Sequence, residues 1–262
     1  GAILVAVDFA AIYQLGAMGK INGPVYWVLV TIFCTALYAF TARKVKGEFF
    51  DYLTLLAGGS VLFTFTRLLH LPVDWSVASV TAAGMLMTIA AGRHAKAKDE
   101  WKELLRASRY LSQILIPVSV AFVILLPIKP PTGHMLALLF ATIGYAVLAT
   151  EFPSIIFAYA ALAASIGTVI YGLRVSELSF EWYATVASIL APVYIFIGQG
   201  TQWMKTESPI IKNYVQALNI TGLALIGIAA LSGLVFSFDH DKVWASVIGM
   251  TLASLDLPIC AY

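Results

Sequence analysis

The sequence predicts an all-α, polytopic integral membrane protein of about ten transmembrane helices, arranged in parallel four-helix repeats. Three observations lead to this fold class: an apolar composition, long uninterrupted apolar runs, and a segment that recurs at a fixed offset. Of the 262 residues, 60% are hydrophobic and 11% are charged. Soluble domains carry about 25% charged residues, so a water-soluble fold could not bury this much apolar surface.

Apolar runs separated by short polar breaks predict the individual helices. They lie at about 1–18, 24–42, 49–69, 75–92, 108–126, 134–150, 154–172, 181–203, 212–237 and 243–262. The runs are continuously apolar, whereas the strands of a membrane barrel alternate between apolar and polar residues. The long polar connection at 93–109, with both signs of charge around Trp101, predicts a short helix lying in the membrane interface.

A segment of 53 residues occurs twice in the chain. Residues 23–75 align without a gap to residues 130–182, and 14 of these 53 positions are identical. The offset is constant, since 174 − 67 = 107 for the arginine pair Arg67 and Arg174. Self-similarity at a fixed period indicates a repeat architecture.

The repeat predicts how the chain is divided. Beyond the second copy the offset shortens, because Asp256-Leu257-Pro258 follows Glu151-Phe152-Pro153 by 105 residues. We therefore expect one four-helix copy at 1–107, a second at 108–212 and the start of a third at 213–262. An even number of helices in each copy predicts the same membrane orientation for consecutive copies. A third copy without a visible cap leads us to expect an array longer than this chain.

The distribution of basic residues predicts the topology. If the first helix starts inside, eleven of the 16 lysines and arginines fall on the inner side, in three separate loops. The positive-inside rule then places both termini and the loops at 43–48, 93–107 and 204–211 in the cytoplasm, with the bacterial cytoplasmic membrane as the expected location. The net charge of +2 is too small to indicate a nucleic-acid partner.

Three acidic residues are candidate functional positions. Asp8 lies within the first apolar run, while Glu151 and Asp256 each stand two residues before a proline at the inner end of a helix. Acids in a membrane are costly, and proline frees backbone carbonyls, so these positions fit a proton or cation site. Two structural interpretations compete with it: polar bonding between helices for Asp8, and a tight interfacial turn for Glu151 and Asp256.

Arg67 and Arg174 are the other candidates, at the outer end of the third helix of each copy. Each is followed by an acid and a tryptophan, Asp74-Trp75 or Glu181-Trp182, that open the next helix. Snorkelling arginines and interfacial tryptophans explain this pattern as one structural corner made twice. An anion-binding role is the alternative.

No motif indicates an enzyme, a metal site or a cofactor. Cys34 and Cys260 lack CxxC spacing, and the four histidines do not pair at metal-ligand spacing. A haem or chlorophyll bound by His70 and His134 from the outer side is the one pigment alternative. The helix start at Gly133-His134, together with Tyr145 and Glu181-Trp182-Tyr183, resembles large bacterial membrane proteins built from repeated helix hairpins. This resemblance spans roughly residues 130–185 and carries no functional residue with it.

Two function classes follow from these patterns. The open-ended repeat favours a structural or scaffolding membrane component, a subunit of a larger assembly whose partners are membrane lipid and other membrane chains. The acids Asp8, Glu151 and Asp256, together with helices interrupted at prolines, favour a secondary transporter or channel for a small solute or ion.

Overall fold

The computed structural model describes residues 23–45, 47–92, 99–125, 131–152, 154–179, 182–203, 209–236 and Thr251. Within these ranges the chain forms eight long α-helices. They are α1 (Gly23–Val45), α2 (Glu48–Leu68), α3 (Val73–Ala91), α4 (Asp99–Leu125), α5 (Thr132–Glu151), α6 (Ile155–Val175), α7 (Trp182–Trp203) and α8 (Pro209–Phe236).

All eight of these helices are long and apolar enough to cross a membrane. This confirms the helical membrane class that the composition predicts. Most bounds agree with the sequence prediction within about three residues, because the polar breaks between apolar runs fix where a span must end. The first and tenth helices predicted at 1–18 and 243–262 lie outside the described residues, apart from Thr251.

The predicted interfacial helix is wrong in one respect. Residues from Asp99 onward belong to α4, which continues without a break into the membrane span. The segment 99–108 contains no glycine or proline, so nothing in it ends a helix. The guanidinium of Arg43, on α1, lies 4.5 Å from the centre of the Trp101 ring, which holds this first part of α4 in place.

The chain divides into two compact units, Gly1–Gly144 and Tyr145–Tyr262. In the first unit α2 packs against α1, α3 and α4, and α3 packs against α4. Small residues bring these helices close together: a Cβ added at Gly59 would lie 3.4 Å from that of Ala83, and one at Gly84 would lie 2.9 Å from Ile116. Close approach of small residues is the usual way in which membrane helices associate.

In the second unit α8 packs against α6 and α7. The centre of this contact consists of fully buried alanines flanked by larger apolar side chains. The alanines are Ala158, Ala191, Ala217 and Ala229. The hydroxyl of Tyr214 on α8 donates to the carbonyl of Ala146 on α5 at 2.6 Å, which fixes α8 against the end of that helix.

Several buried hydroxyl groups are bonded to the backbone of their own helices. The side chain of Thr88 donates to Gly84 and that of Ser119 to Ile116, and the same pattern holds for Thr81 and Ser188. Such bonds satisfy the hydroxyl donor within apolar surroundings. Pro117 and Pro192 lie inside α4 and α7, and both helices continue through them.

Candidate functional site

The turn between α2 and α3 has a well-defined backbone geometry. The amide of His70 donates to the carbonyl of Arg67 at 3.1 Å, and the amide of Leu71 donates to that of Thr66 at 3.1 Å. His70 has a φ of 54°, in the left-handed region. This combination is a Schellman motif, which satisfies the last carbonyls of a helix and reverses the chain.

The turn between α6 and α7 repeats this geometry, 107 residues further along the chain. The amide of Glu177 donates to the carbonyl of Arg174 at 3.2 Å, that of Leu178 donates to Leu173 at 3.1 Å, and Glu177 also has a φ of 54°. The helices before the two turns correspond as well, because 155 − 48 = 107 and 175 − 68 = 107 for α6 and α2. The two turns therefore share one backbone conformation at matching sequence positions.

Asp74, in the first turn of α3, is the most enclosed acidic side chain among the described residues. It is 0% exposed, and its Oδ2 accepts a hydrogen bond of 2.7 Å from the amide of Gly133 in the first turn of α5. A Cβ at position 133 would lie 2.4 Å from the carbonyl carbon of Asp74. Only glycine lets the start of α5 approach the start of α3 this closely.

The position of Asp74 explains how a carboxyl group can be buried there. Two helices, α3 and α5, begin at this point, and the amide-rich, positive end of a helix stabilises a negative charge. The second oxygen, Oδ1, is buried and has no hydrogen-bond partner among the described residues. Asp74 thus joins the starts of two helices through its other oxygen, Oδ2.

His134 follows Gly133 directly and is also 0% exposed. A ring that is fully enclosed presents no nitrogen to a haem at the protein surface, which disfavours the pigment alternative for this residue. His70, by contrast, is exposed in the α2–α3 turn. Among the described residues, no group of three or more His, Cys, Asp or Glu side chains could hold a metal ion.

The side chains behind the two turns differ. Behind the first turn the hydroxyls of Thr66 and Ser76 lie 3.1 Å apart in a buried hydrogen bond between α2 and α3. The matching positions behind the second turn are Leu173 and Tyr183, since 173 − 66 = 107 and 183 − 76 = 107. A pair of small polar side chains is replaced by two large ones.

A cavity opens behind each turn, at matching positions. The smaller one, of about 230 Å³, lies between α2, α3 and α4, and the larger one, of about 350 Å³, lies between α6, α7 and α8. Four lining positions of the smaller cavity recur in the larger one after the offset of 107. The pairs are Gly59/Ile166, Phe63/Ile170, Val80/Ala187 and Ala83/Leu190.

The two predicted arginines occupy matching positions in the last turns of α2 and α6, and both are exposed. The guanidinium of Arg174 lies 5.3 Å from the centre of the Tyr171 ring, and Arg174 lines the larger cavity. Arg67 is not among the residues that line the smaller cavity. The two arginines therefore occupy equivalent positions on their helices. Arg174 lines the cavity beside its helix, whereas Arg67 does not.

Glu151 is the last residue of α5 and is half-buried. The chain turns at once: the amide of Phe152 donates to Leu148 at 2.8 Å, and the side chain of Ser154 caps the start of α6 by accepting from Ile156. Neither of the two cavities is lined by Glu151. Glu151 therefore lies at a helix end, where the structural interpretation predicts a tight turn, and both interpretations of this acid stay predictions.

The other two acidic candidates, Asp8 and Asp256, lie outside the described residues, as does Glu181, the counterpart of Asp74. Sequence analysis did not single out Asp74 as a site, because an acid beside a tryptophan at a helix start is typical of an interfacial position. The one available signal was Gly133, a glycine in the first turn of α5, where a close approach of another chain segment is a common reason for glycine.

Comparison with known proteins does not assign the chain to a group: no family model, curated protein or solved structure matches it. The resemblance to repeat-built bacterial membrane proteins therefore stays a prediction.

Proposed function

We propose that this protein is a structural membrane component that assembles with other membrane chains. The proposal rests on the hydrogen bonding and the apolar packing of the described interior. Buried hydroxyls on α3, α4 and α7, those of Thr88, Ser119 and Ser188, donate to carbonyls of their own helices, and most side chains that line the two cavities are apolar. In the part of the chain that the structure describes, such an interior favours a packing role over a polar path for a solute.

The outer faces support the same proposal. On α1, large apolar residues recur at positions 29, 33, 37 and 40, and Phe33 is 67% exposed. On α4 they recur at 114, 118, 122 and 125 with the same spacing, which places each set on one side of its helix. These two rows are surfaces on which another membrane helix, or lipid, can pack.

Site-specific photo-crosslinking in native membranes tests the proposal. A photoreactive residue at Phe33 should give discrete protein adducts, whereas one at the buried Ala83 should give none and serves as the matched control. Only lipid adducts at Phe33, with a monodisperse monomer after extraction in mild detergent, would contradict the assembly role.

A second candidate function, transport of a proton or cation, is favoured by Asp74 and its unpartnered Oδ1. Intramembrane acids of this kind occur along proton pathways. Purified protein in sealed proteoliposomes distinguishes the two functions. A proton or cation flux that disappears in Asp74→Asn, while the variant remains folded, would replace the structural role with transport.

For the topology we propose cytoplasmic termini, from the segregation of basic residues alone. On a background in which Cys34 and Cys260 are replaced by alanine, a cysteine at Pro130 or Asp239 should react with an impermeant reagent added outside sealed cells. A cysteine at Lys98 should not react, and its labelling would reverse the assignment.

A further inference from the structure

The larger cavity, between α6, α7 and α8, has an amphiphilic character that its counterpart lacks. Its polar side chains are Arg174, Tyr183 and Ser232, and its remaining lining is apolar. Arg174 lies in the last turn of α6 and Tyr183 in the first turns of α7, on either side of the α6–α7 turn. Polar side chains thus gather at one end of the larger cavity, and the rest of its lining is apolar. Because both cavities are open along one side, we call them the larger and the smaller groove.

Among the residues described in that lining, Arg174 carries the only charge. The hydroxyl of Ser232 is already donated to the carbonyl of Ile228 on its own helix. The guanidinium lies over the ring of Tyr171, and Arg174 is exposed while it lines the groove, so the charge is accessible to a ligand there. Arginine binds phosphate oxygens through paired N–H groups and is the side chain best suited to this contact.

The size of the groove agrees with a bound molecule. Ligand sites typically measure about 300–1,000 Å³, and the larger groove, at about 350 Å³, falls within this range. The smaller groove, at about 230 Å³, falls below it. Its one polar lining residue, Ser60, donates its hydroxyl to Ala57 at 2.7 Å.

We propose that the groove between α6, α7 and α8 binds one glycerophospholipid, with an acyl chain against Leu190 and Leu225 and the phosphate on Arg174. The occupant follows from charge and shape together: a hydrocarbon-lined groove with a cation at one end matches an amphiphile with an anion at one end. The site is independent of the proposed assembly role, because it rests on residues of one unit of this chain.

Native mass spectrometry of the purified full chain in detergent tests the proposal. The protein is titrated with phosphatidylglycerol and with diacylglycerol of the same chains, which lacks the phosphate. We expect one phosphatidylglycerol to bind more tightly than diacylglycerol. Arg174→Gln should weaken phosphatidylglycerol binding on the order of tenfold, the loss expected for a charge-assisted contact, and leave diacylglycerol binding unchanged.

The other repeat copy supplies the matched controls. Arg67→Gln removes the corresponding arginine, and Val80→Phe fills the smaller groove at the position that matches Ala187. Neither should change lipid binding, whereas Ala187→Phe should weaken the binding of both lipids.

Three outcomes would overturn the proposal: equal losses in Arg174→Gln and Arg67→Gln, equal affinities of the wild type for the two lipids, or unchanged binding in a folded Ala187→Phe variant. Because Arg174 is exposed, its replacement should leave the fold intact. The comparison of the two lipids in Arg174→Gln and Arg67→Gln therefore still tests the phosphate contact if Ala187→Phe does not fold.

Discussion

The α2–α3 turn and the α6–α7 turn have the same backbone conformation. They differ in the side chains that lie between the two helices that each turn joins. Both end a helix with the same Schellman hydrogen bonds, and both place a non-glycine residue, His70 or Glu177, at a φ of 54°. Behind the first turn Thr66 and Ser76 join the helices through their hydroxyls. Behind the second, Leu173 and Tyr183 line a groove of about 350 Å³.

This difference shows that backbone conformation and interior filling are set by different parts of the sequence. The turn depends on local hydrogen bonds that almost any side chain permits. The groove depends on side-chain size at positions on three helices, where Gly59 and Ala83 in one copy correspond to Ile166 and Leu190 in the other. The two turns can therefore have the same backbone conformation while only one of them adjoins a groove of this size.

The largest effect is expected where the start of α5 packs against Asp74 at the start of α3. Gly133→Ala would place a Cβ 2.4 Å from the carbonyl carbon of Asp74 and 2.6 Å from its carboxylate. Backbone must move to relieve this overlap, and we expect a loss of about 3 kcal/mol or more in the free energy of unfolding. Thermal or SDS-induced unfolding in detergent measures it.

Gly227→Ala is the matched control for this substitution. Gly227 lies in α8, and nothing lies within 4 Å of a Cβ added there. Alanine should be neutral or stabilising by about 0.5–1 kcal/mol, because glycine weakens a helix interior. If Gly133→Ala were as mild as Gly227→Ala, the close approach of α5 to Asp74 would be incorrect.

The next effect concerns the hydroxyl pair that distinguishes the α2–α3 turn from the α6–α7 turn. Thr66→Val removes one partner of the buried contact between Thr66 and Ser76, and should cost about 1 kcal/mol. A double-mutant cycle with Ser76→Ala should give a coupling of about 0.6 kcal/mol, the average for such bonds between membrane helices.

Thr41→Val provides the control, because the hydroxyl of Thr41 donates only to Leu37 on its own helix. Zero coupling between positions 66 and 76 would mean that side-chain volume alone, and not the hydrogen bond, distinguishes the two turns.

The turns themselves offer a more direct test of their equivalence. His70→Gly and Glu177→Gly each place a glycine where the backbone is in the left-handed region. A residue with a side chain costs about 1–2 kcal/mol in that region. Glycine avoids this cost but loses more conformational entropy on folding, which costs about 0.5–1 kcal/mol. Each should therefore stabilise the protein by about 0.5–1 kcal/mol. Leu69→Gly and Ser176→Gly, whose φ is −79°, should instead destabilise it. If His70→Gly and Glu177→Gly changed the stability of the protein in opposite directions, the two turns would not be equivalent.

The sequence predicted the parts of the fold that local patterns control. Eight spans and the equivalent ends of α2 and α6 follow from apolar run length and from the offset of 107. The buried position of Asp74 did not follow, because it depends on contact with Gly133, 59 residues further along the chain. The larger groove was also missed, since it depends on how three helices pack and not on a motif within any one of them.

The smallest effect is expected at the C-terminal ends of α5 and α1, which carry opposite charges. Glu151 ends α5, and Lys44 is its counterpart near the end of α1, since 151 − 107 = 44. The carbonyl end of a helix disfavours an acid and favours a base. Glu151→Gln should thus be neutral or slightly stabilising and Lys44→Gln slightly destabilising, both within about 0.5 kcal/mol. Unfolding of the two variants beside the wild type measures this, and a full assembly should form in both. A Glu151→Gln variant that folds but loses an ion or proton flux would contradict the tight-turn interpretation, and would assign the acid at this turn to transport.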